Sequence, residues 1–223
     1  MGRPAIIVKE RVAEVTLRLI DEEGLDAVSI ERIASELGVR GPSLYHHFAD
    51  KAAILVEVAR LVLGDLDLDR DTQDWQQWMV DASLLLYERV VEHPRAAVVL
   101  LQYLPNESMI PGLDRAASLM SDAGVDQAVQ LLIMEGMEKM IWGWAMQHAL
   151  AATHADRLAP SLLGRRWPHL STAVRNNRWD HAALVEISLR AFLSGVLAGD
   201  LAAPRKPANG RVRRSRAQAT PVG

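Results

Sequence analysis

The 223-residue chain contains no cysteine. This absence excludes disulfide bonds, thiol catalysis and cysteine-based zinc sites, and it is compatible with a reducing compartment. Long hydrophobic runs are also missing: the longest uncharged helical run, 140–155, includes glutamine and histidine and falls short of a membrane span. The apolar run at 6–8 is too brief for a signal peptide. We therefore expect a cytoplasmic protein.

Positive charge is scarce for a chain that would bind nucleic acid. The net charge is −3, and the first 50 residues hold six basic and nine acidic side chains. From residue 203 onward there are six basic residues and no acidic one, so the rest of the chain carries −9. Binding to phosphates must therefore depend on where individual cations lie, because their sum does not favour it.

The most informative stretch is 29–51, where a helix is followed by a tight turn. Ser29 can cap this helix, and Gly38 supplies the left-handed residue that ends it. The apolar residues between them recur at helical spacing: Ile30, Ile33, Ala34 and Leu37. The spacing predicts an apolar helix that braces the segment after the turn.

A second, short helix comes after the turn. Pro42 is tolerated in its first turn, because the N–H that proline lacks would be unpaired there. Leu44 and Phe48, four residues apart, give this helix one inward face. Its other side and its entrance carry polar and aromatic residues: Arg40, Ser43, Tyr45, His46 and His47. The pair of helices is typical of a helix-turn-helix with an exposed recognition helix.

Over about residues 8–62 the chain resembles the DNA-binding domain of TetR/AcrR-type bacterial transcription regulators. The motifs that carry the resemblance are Glu23-Gly24-Leu25 with Ser29, Ile33-Ala34, Leu37-Gly38-Val39, Pro42-Ser43-Leu44-Tyr45, His47-Phe48 and Asp50-Lys51. The resemblance implies an all-α fold, in which an N-terminal three-helix DNA-binding domain precedes a larger helical domain for effector binding and dimerisation. It is weak beyond this region.

The resemblance and the residue types together predict the DNA contacts. Tyr45 can reach a phosphate with its phenol, and a histidine of the pair can donate to a phosphate or base edge. Lys51 is unfavourable in the first turn of a helix, which favours a phosphate as its partner. The predicted DNA-binding residues are Arg40, Pro42, Ser43, Tyr45, His46, His47 and Lys51. The adjacent histidines diverge by about 100° on a helix, which argues against a shared metal ion.

The remaining pattern is helical to the end, with no strand-like alternation. It predicts a DNA-binding domain at 1–50, a ligand-binding and dimerisation domain at 51–202, and a basic, disordered tail at 203–223. The fourth helix, 51–68, would connect the two domains, and the acidic stretch 65–74 would mark their boundary. Further helices are predicted at 74–92, 95–104, 113–122, 125–152 and 180–202, with a loop framed by Pro105 and Pro111.

Two of the later helices favour a homodimer. The helix over 180–202 has apolar residues on more than one side, more than a single packing partner needs. We expect its extra face to form a two-fold four-helix interface with the helix over 125–152, whose small residues Gly136 and Gly143 leave room for another backbone. Two recognition helices about 34 Å apart could then read successive major grooves.

Methionine and tryptophan crowd the helix over 125–152, and such side chains adapt to irregular apolar ligands. The predicted effector pocket consists of Met79, Leu86, Tyr103, Met134, Met137 and Trp142. Ordinary core packing is an equally good interpretation of the same residues. The pattern indicates a small apolar or amphipathic effector without identifying it.

Sequence motifs for catalysis and metals are absent. The histidines have no zinc-ligand spacing, and there is no phosphate-binding glycine loop and no G-x-S-x-G elbow. We therefore predict no enzymatic activity, no metal and no cofactor. The favoured hypothesis is a ligand-responsive homodimeric repressor of a palindromic DNA operator. The alternatives are an activator of the same family, or a helical small-molecule-binding protein or enzyme that retains a non-functional helix-turn-helix.

Overall fold

The computed structural model describes residues 8–64, 72–153 and 166–199, and every regular element in these ranges is helical. The predicted all-α fold is confirmed. The helices are α1 (Lys9–Glu23), α2 (Ile30–Glu36), α3 (Gly41–Tyr45), α4 (Lys51–Leu63), α5 (Trp75–Glu92), α6 (Ala97–Gln102), α7 (Asn106–Asp122), α8 (Gln127–Thr153), α9 (Pro168–Asn176) and α10 (His181–Leu197). None of the described helices is long and apolar enough to cross a membrane.

The N-terminal helices form a small core around α1 and α4. The apolar side of α1 buries Val12, Leu19 and Ile20, and α4 contributes the fully buried Ile54 and Val58. These two helices pack extensively against each other, while α2 and α3 pack across the turn that joins them. The α4 segment is therefore part of the small core as well as the start of the chain's second half.

Side chains cap two helices in this region, and the cap at Ser29 is the predicted one. The Ser29 hydroxyl accepts a hydrogen bond from the Arg32 backbone N–H at 3.1 Å, and the Asp50 carboxylate accepts one from Ala53 at 2.8 Å. Gly38 has a φ of 67°, which is the left-handed conformation that the turn requires. Gly64, with a φ of 53°, ends α4 at Leu63, earlier than the predicted limit of 68.

The larger group of helices is built around α5 and α8, which pack against each other along their lengths. Helices α6, α7 and α10 pack around this pair. The core includes Met137 and Ile141 from α8 and Leu189 from α10, all almost completely buried. This core fixes the frame on which α4 is held.

The predicted loop between Pro105 and Pro111 is wrong, because α7 begins at Asn106 and continues through Pro111. Pro111 lies in the second turn, where it removes the hydrogen bond to the Glu107 carbonyl and its ring crowds that oxygen. The rest of α7 buries Leu119 and Met120 against the core. Tertiary packing therefore outweighs the local preference of proline for ending a helix.

Polar contacts join the small core to the larger one. Nη1 of Arg89 donates to the backbone oxygens of Val62 and Leu63, at 3.1 and 2.7 Å, and Arg60 pairs with Glu107 of α7. His93 bonds the Asp21 carboxylate, and Arg95 donates to the Glu22 carbonyl oxygen at 2.5 Å. The end of α1 and the end of α4 are thus both attached to the second group of helices.

Some predicted features fall on residues that the structure does not describe. The basic tail at 203–223 and most of the acidic stretch at 65–74 lie outside the described residues. Between α8 and α9, the residues 154–165 are also outside. The domain limits at 50 and 202 stay predictions.

Candidate nucleic-acid interface and effector pocket

The recognition helix α3 is only five residues long, so buried side chains must hold it in place. Leu44 is completely buried and Phe48 is 4% exposed, which anchors the helix and the short segment that follows it. Arg40 has extended backbone geometry (φ −91°, ψ 145°) at the N-cap, and its carbonyl oxygen accepts the Ser43 N–H at 2.9 Å. The short helix is therefore positioned by its inward face, as the spacing of the two apolar residues predicts.

The opposite side of α3 faces outward. Tyr45 is 55% exposed, although large aromatic side chains are usually buried. Ser43 and Lys51 are half-buried, and the other predicted DNA-binding residues are exposed: Arg40, Pro42, His46 and His47. The structure thus brings six of the seven predicted residues together on one short segment, with Lys51 at the start of the next helix.

Most basic side chains near this face are engaged with carboxylates. Arg18 donates to Glu36 at 2.7 Å, and Arg32 donates to Glu36 at 2.6 Å and to Glu23 at 2.8 Å, which ties α1 to α2. The hydrogen bond from Arg18 lowers the pKa of the Glu36 carboxyl, and that to Glu23 raises the pKa of the Arg32 guanidinium. These arginines stabilise the small domain and are not available as unpaired cations.

Lys9 lies near Glu57, and Arg11 lies near Glu14. Two cations therefore remain without a carboxylate partner among the described residues 8–51. They are Arg40, at the start of α3, and Lys51, at the start of α4. Nζ of Lys51 lies 3.3 Å from the Leu25 carbonyl oxygen, which holds the ammonium at the surface with donors to spare. Two positive charges therefore flank the recognition segment, although acidic side chains outnumber basic ones in this region.

The second candidate site is an apolar pocket between α5, α7 and α8. Four of the predicted effector residues line it: Met79, Leu86, Met134 and Met137. The other two do not. Tyr103 is half-buried against the core, and Trp142 is buried with its indole Nε1 unpaired among the described residues.

The pocket also contains residues that sequence reasoning missed, chiefly from α7: Met109, Gly112, Leu113 and Ala116. These residues recur every three or four positions, which is a helical signal that the predicted loop at 105–111 concealed. Glu138 also lines the pocket, and Lys139 beside it lies 3.2 Å from Glu138 and 2.7 Å from Glu135. The cavity is small, about 70 Å³, so most ligands would have to displace the flexible methionines.

The histidines of the described segments form no metal centre, and no group of three or more suitable ligands occurs there. One histidine instead joins three helices. Nδ1 of His148 in α8 lies 2.5 Å from the Tyr87 hydroxyl of α5, and its ring lies 5.1 Å from that of His181 in α10. Burial lowers the pKa of His148, which favours the neutral ring as the acceptor of a hydrogen bond that the Tyr87 hydroxyl donates.

Comparison with known proteins agrees with this architecture. Residues 13–58 match the family model described as "Bacterial regulatory proteins, tetR family". The tetracycline repressor protein class D of Escherichia coli is 25% identical over 119 residues, 52% of this chain and 55% of that protein. The alignment thus spans about half the length of the first curated relatives.

Solved structures cover more of the chain. A possible TetR family transcriptional regulator from Streptomyces coelicolor A3(2) superposes with a TM-score of 0.74 at 22% identity, over 86% of this chain and all of that one. The Streptomyces coelicolor protein ActR, solved in complex with actinorhodin, gives 0.69 at 23% identity over 87% and 99%. At these identities the likeness shows the fold.

Residues 13–58 thus match a tetR-family domain, and the described chain shares the fold of the solved TetR-type structures.

Proposed function

We propose that this protein is a ligand-responsive repressor that binds a palindromic DNA operator as a homodimer. The observation that carries the proposal is the recognition segment, where two buried anchors present an exposed face of polar and aromatic side chains. Arg40 and Lys51, which have no carboxylate partner among the described residues, frame that face, which is where phosphate contacts are needed. The tetR family match over 13–58 covers the same segment.

In this proposal α3 lies in the major groove. Arg40, Ser43, His46 and His47 contact base edges or phosphates, and Pro42 packs near the sugar-phosphate backbone. Tyr45 and Lys51 each contact a phosphate. Because Arg18 and Arg32 are engaged with Glu36, affinity depends on few cations, and we expect a shallow dependence on salt.

The homodimer uses the helices predicted at 125–152 and 180–202, which are α8 and α10 in the structure. In a single protomer the side chain of Ile187 on α10 is 43% exposed, and the small residues Ala191 and Gly195 on the same helix are also exposed. Helix α8 exposes Leu131 and Leu132 in the same way. A second copy would cover these apolar surfaces and would present two recognition helices to successive major grooves.

The effector would occupy the pocket between α5, α7 and α8, and it would be a small apolar or amphipathic molecule. The relatives support this idea, since one is named for tetracycline and another was solved in complex with actinorhodin. An effector that binds the DNA-incompetent arrangement better would shift the population away from DNA. Helix α4 would transmit the change, because it packs on α1 and also on α5 and α6.

We retain the predicted domains within this proposal: DNA binding at 1–50, ligand binding and dimerisation at 51–202 with α4 as the connector, and a basic tail at 203–223. Selection of bound fragments from a random DNA pool tests the proposal. A palindromic consensus with half-sites about one helical turn apart is expected. Recovery of no enriched sequence at low salt would contradict it.

The acidic balance of the chain favours a second candidate, a helical small-molecule-binding protein or enzyme whose helix-turn-helix does not act. Such a protein would show no salt-dependent retention of any DNA fragment and would turn over a metabolite. An activator would bind the same operator. A transcription assay in vitro separates it from a repressor by the sign of the effect.

A further inference from the structure

A groove separate from the effector pocket lies where the two groups of helices meet. We call it the interdomain groove. Its walls are Glu23 and Gly24 at the end of α1, Arg95 and Val98 at α6, and Met146 and Leu150 of α8. Its volume is about 360 Å³, several times that of the effector pocket, with which it shares no lining residue.

The floor of the interdomain groove is aliphatic and partly uncovered. Val98 is 41% exposed and Leu150 is 44% exposed, and both lie beside the more buried Met146. Such exposed side chains in a concave surface favour an apolar ligand, since each square ångström removed from water contributes about 25 cal/mol. The aliphatic lining of the groove therefore favours a ligand with an apolar part over a fully polar one.

The charges at the rim indicate the sign of the ligand. Glu23 is paired with Arg32 at 2.8 Å, so its negative charge is compensated within the small domain. Arg95 donates one of its five N–H groups to the Glu22 carbonyl oxygen, and no carboxylate pairs with it in the described part of the chain. An exposed guanidinium with donors remaining is the group that binds a carboxylate bidentately.

We propose that the interdomain groove is a second ligand site, which binds a small amphipathic carboxylate with its charge on Arg95 and its apolar body on Val98, Met146 and Leu150. A ligand there contacts the end of α1 on one side and α6 and α8 on the other. Occupancy of the groove does not depend on the proposed function.

Isothermal titration calorimetry of the full chain with octanoate tests the site. We expect octanoate to bind, Arg95→Gln to weaken binding about tenfold through loss of a charged hydrogen bond, and octyltrimethylammonium not to bind. Val98→Trp should abolish binding by filling the groove. Because residue 98 is exposed, circular dichroism should show an unchanged fold.

Two matched variants locate the bound octanoate. Ile110→Trp places the same bulky side chain on an exposed position of α7 outside both the groove and the effector pocket, and it should leave binding unchanged. Gly112→Leu narrows the effector pocket, because Gly112 lines it, and the fold accommodates the change, because an added Cβ meets nothing within 4 Å. This variant should also leave octanoate binding unchanged. No binding of octanoate, equal binding of the cationic analogue, or binding lost in Gly112→Leu but kept in Val98→Trp would each overturn the proposal.

Discussion

Nδ1 of His93 lies 2.7 Å from Oδ2 of Asp21, and this contact joins the end of α5 to α1. The other carboxylate oxygen, Oδ1, is buried and has no hydrogen-bond partner among the described residues. The imidazole is therefore the side-chain partner that compensates this carboxylate. The same junction carries the Arg95 contact to α1, so the DNA-binding helices are held to the larger core at a defined point.

The junction predicts an asymmetry between its two residues. His93→Ala leaves a partly buried carboxylate with no side-chain partner, so it should destabilise the protein by more than Asp21→Ala, which removes the carboxylate itself. We expect losses of about 1–3 and about 1 kcal/mol respectively. Urea unfolding followed by tryptophan fluorescence measures both. Equal effects would contradict the predicted asymmetry, and additive effects in the double variant would show that the two side chains do not act as a pair.

The DNA contacts are tested by Tyr45→Ala and Lys51→Ala. Both side chains reach the surface, so the free energy of unfolding should change by less than about 0.5 kcal/mol. Lys51→Ala should weaken operator binding about equally for all sequences and reduce the magnitude of the salt slope by about 1, because one phosphate contact is lost. Fluorescence anisotropy with the selected operator measures both quantities. Arg175→Ala, on the distant helix α9, is the control; unchanged affinity in the two variants would reject the assigned roles.

The homodimer face is tested by Ile187→Glu. A charge placed in an apolar interface must be desolvated without a partner, so the dimer should dissociate at micromolar concentration. Sedimentation equilibrium gives the mass. Ile110→Glu introduces the same change at an exposed position of α7 and should leave the mass unchanged. If the protein with glutamate at 187 remains dimeric, the interface lies elsewhere.

Two glycines of α8 make a matched pair. The small size of Gly136 predicts room for another backbone, but its neighbour is the ring of Phe192 from α10, which an added Cβ would overlap. Gly143 has nothing within 4 Å of such a Cβ. Gly136→Ala should therefore destabilise by about 1–3 kcal/mol through overpacking, whereas Gly143→Ala should stabilise the monomer by about 0.5–1 kcal/mol. Thermal unfolding distinguishes them, and the same sign for both would contradict this packing.

The contact between Tyr87 and His148 predicts how stability depends on pH. The pKa of His148 is lowered below its ordinary value near 6.5, mainly by burial and secondly by the nearby charge of His181. Burial raises the pKa of Tyr87, so its hydroxyl stays protonated and acts as the donor. The unfolded chain takes up a proton at higher pH than the folded one. Stability contributed by this site is therefore fully present above about pH 6.5 and falls as the pH drops below it.

Urea titrations between about pH 5 and 7.5 measure this dependence. His148→Gln should flatten the curve in this window, and His169→Gln, at an exposed position of α9, should not. An unchanged slope in His148→Gln would mean that other groups determine the pH dependence.

Local sequence was enough to predict the helix-turn-helix and the helical character of the rest of the described chain. Capping residues, the glycine of the turn and the four-residue spacing of Leu44 and Phe48 act within a few residues of one another, so local chemistry specifies them. The exposed face of α3 follows from the same spacing. Because Leu44 and Phe48 point inward, the side chains on the opposite side of the segment point outward.

Which side chains share a pocket or an ion pair depends on how the helices pack. Met109 and Leu113 meet Met134 because α7 packs on α8, and no local signal outweighs the two prolines that favour a loop there. Arg18 and Arg32 are engaged by Glu36 while Arg40 is not, a difference that charge counts do not contain. Such contacts join residues distant in sequence, and their energies depend on a geometry that exists only after the helices have packed.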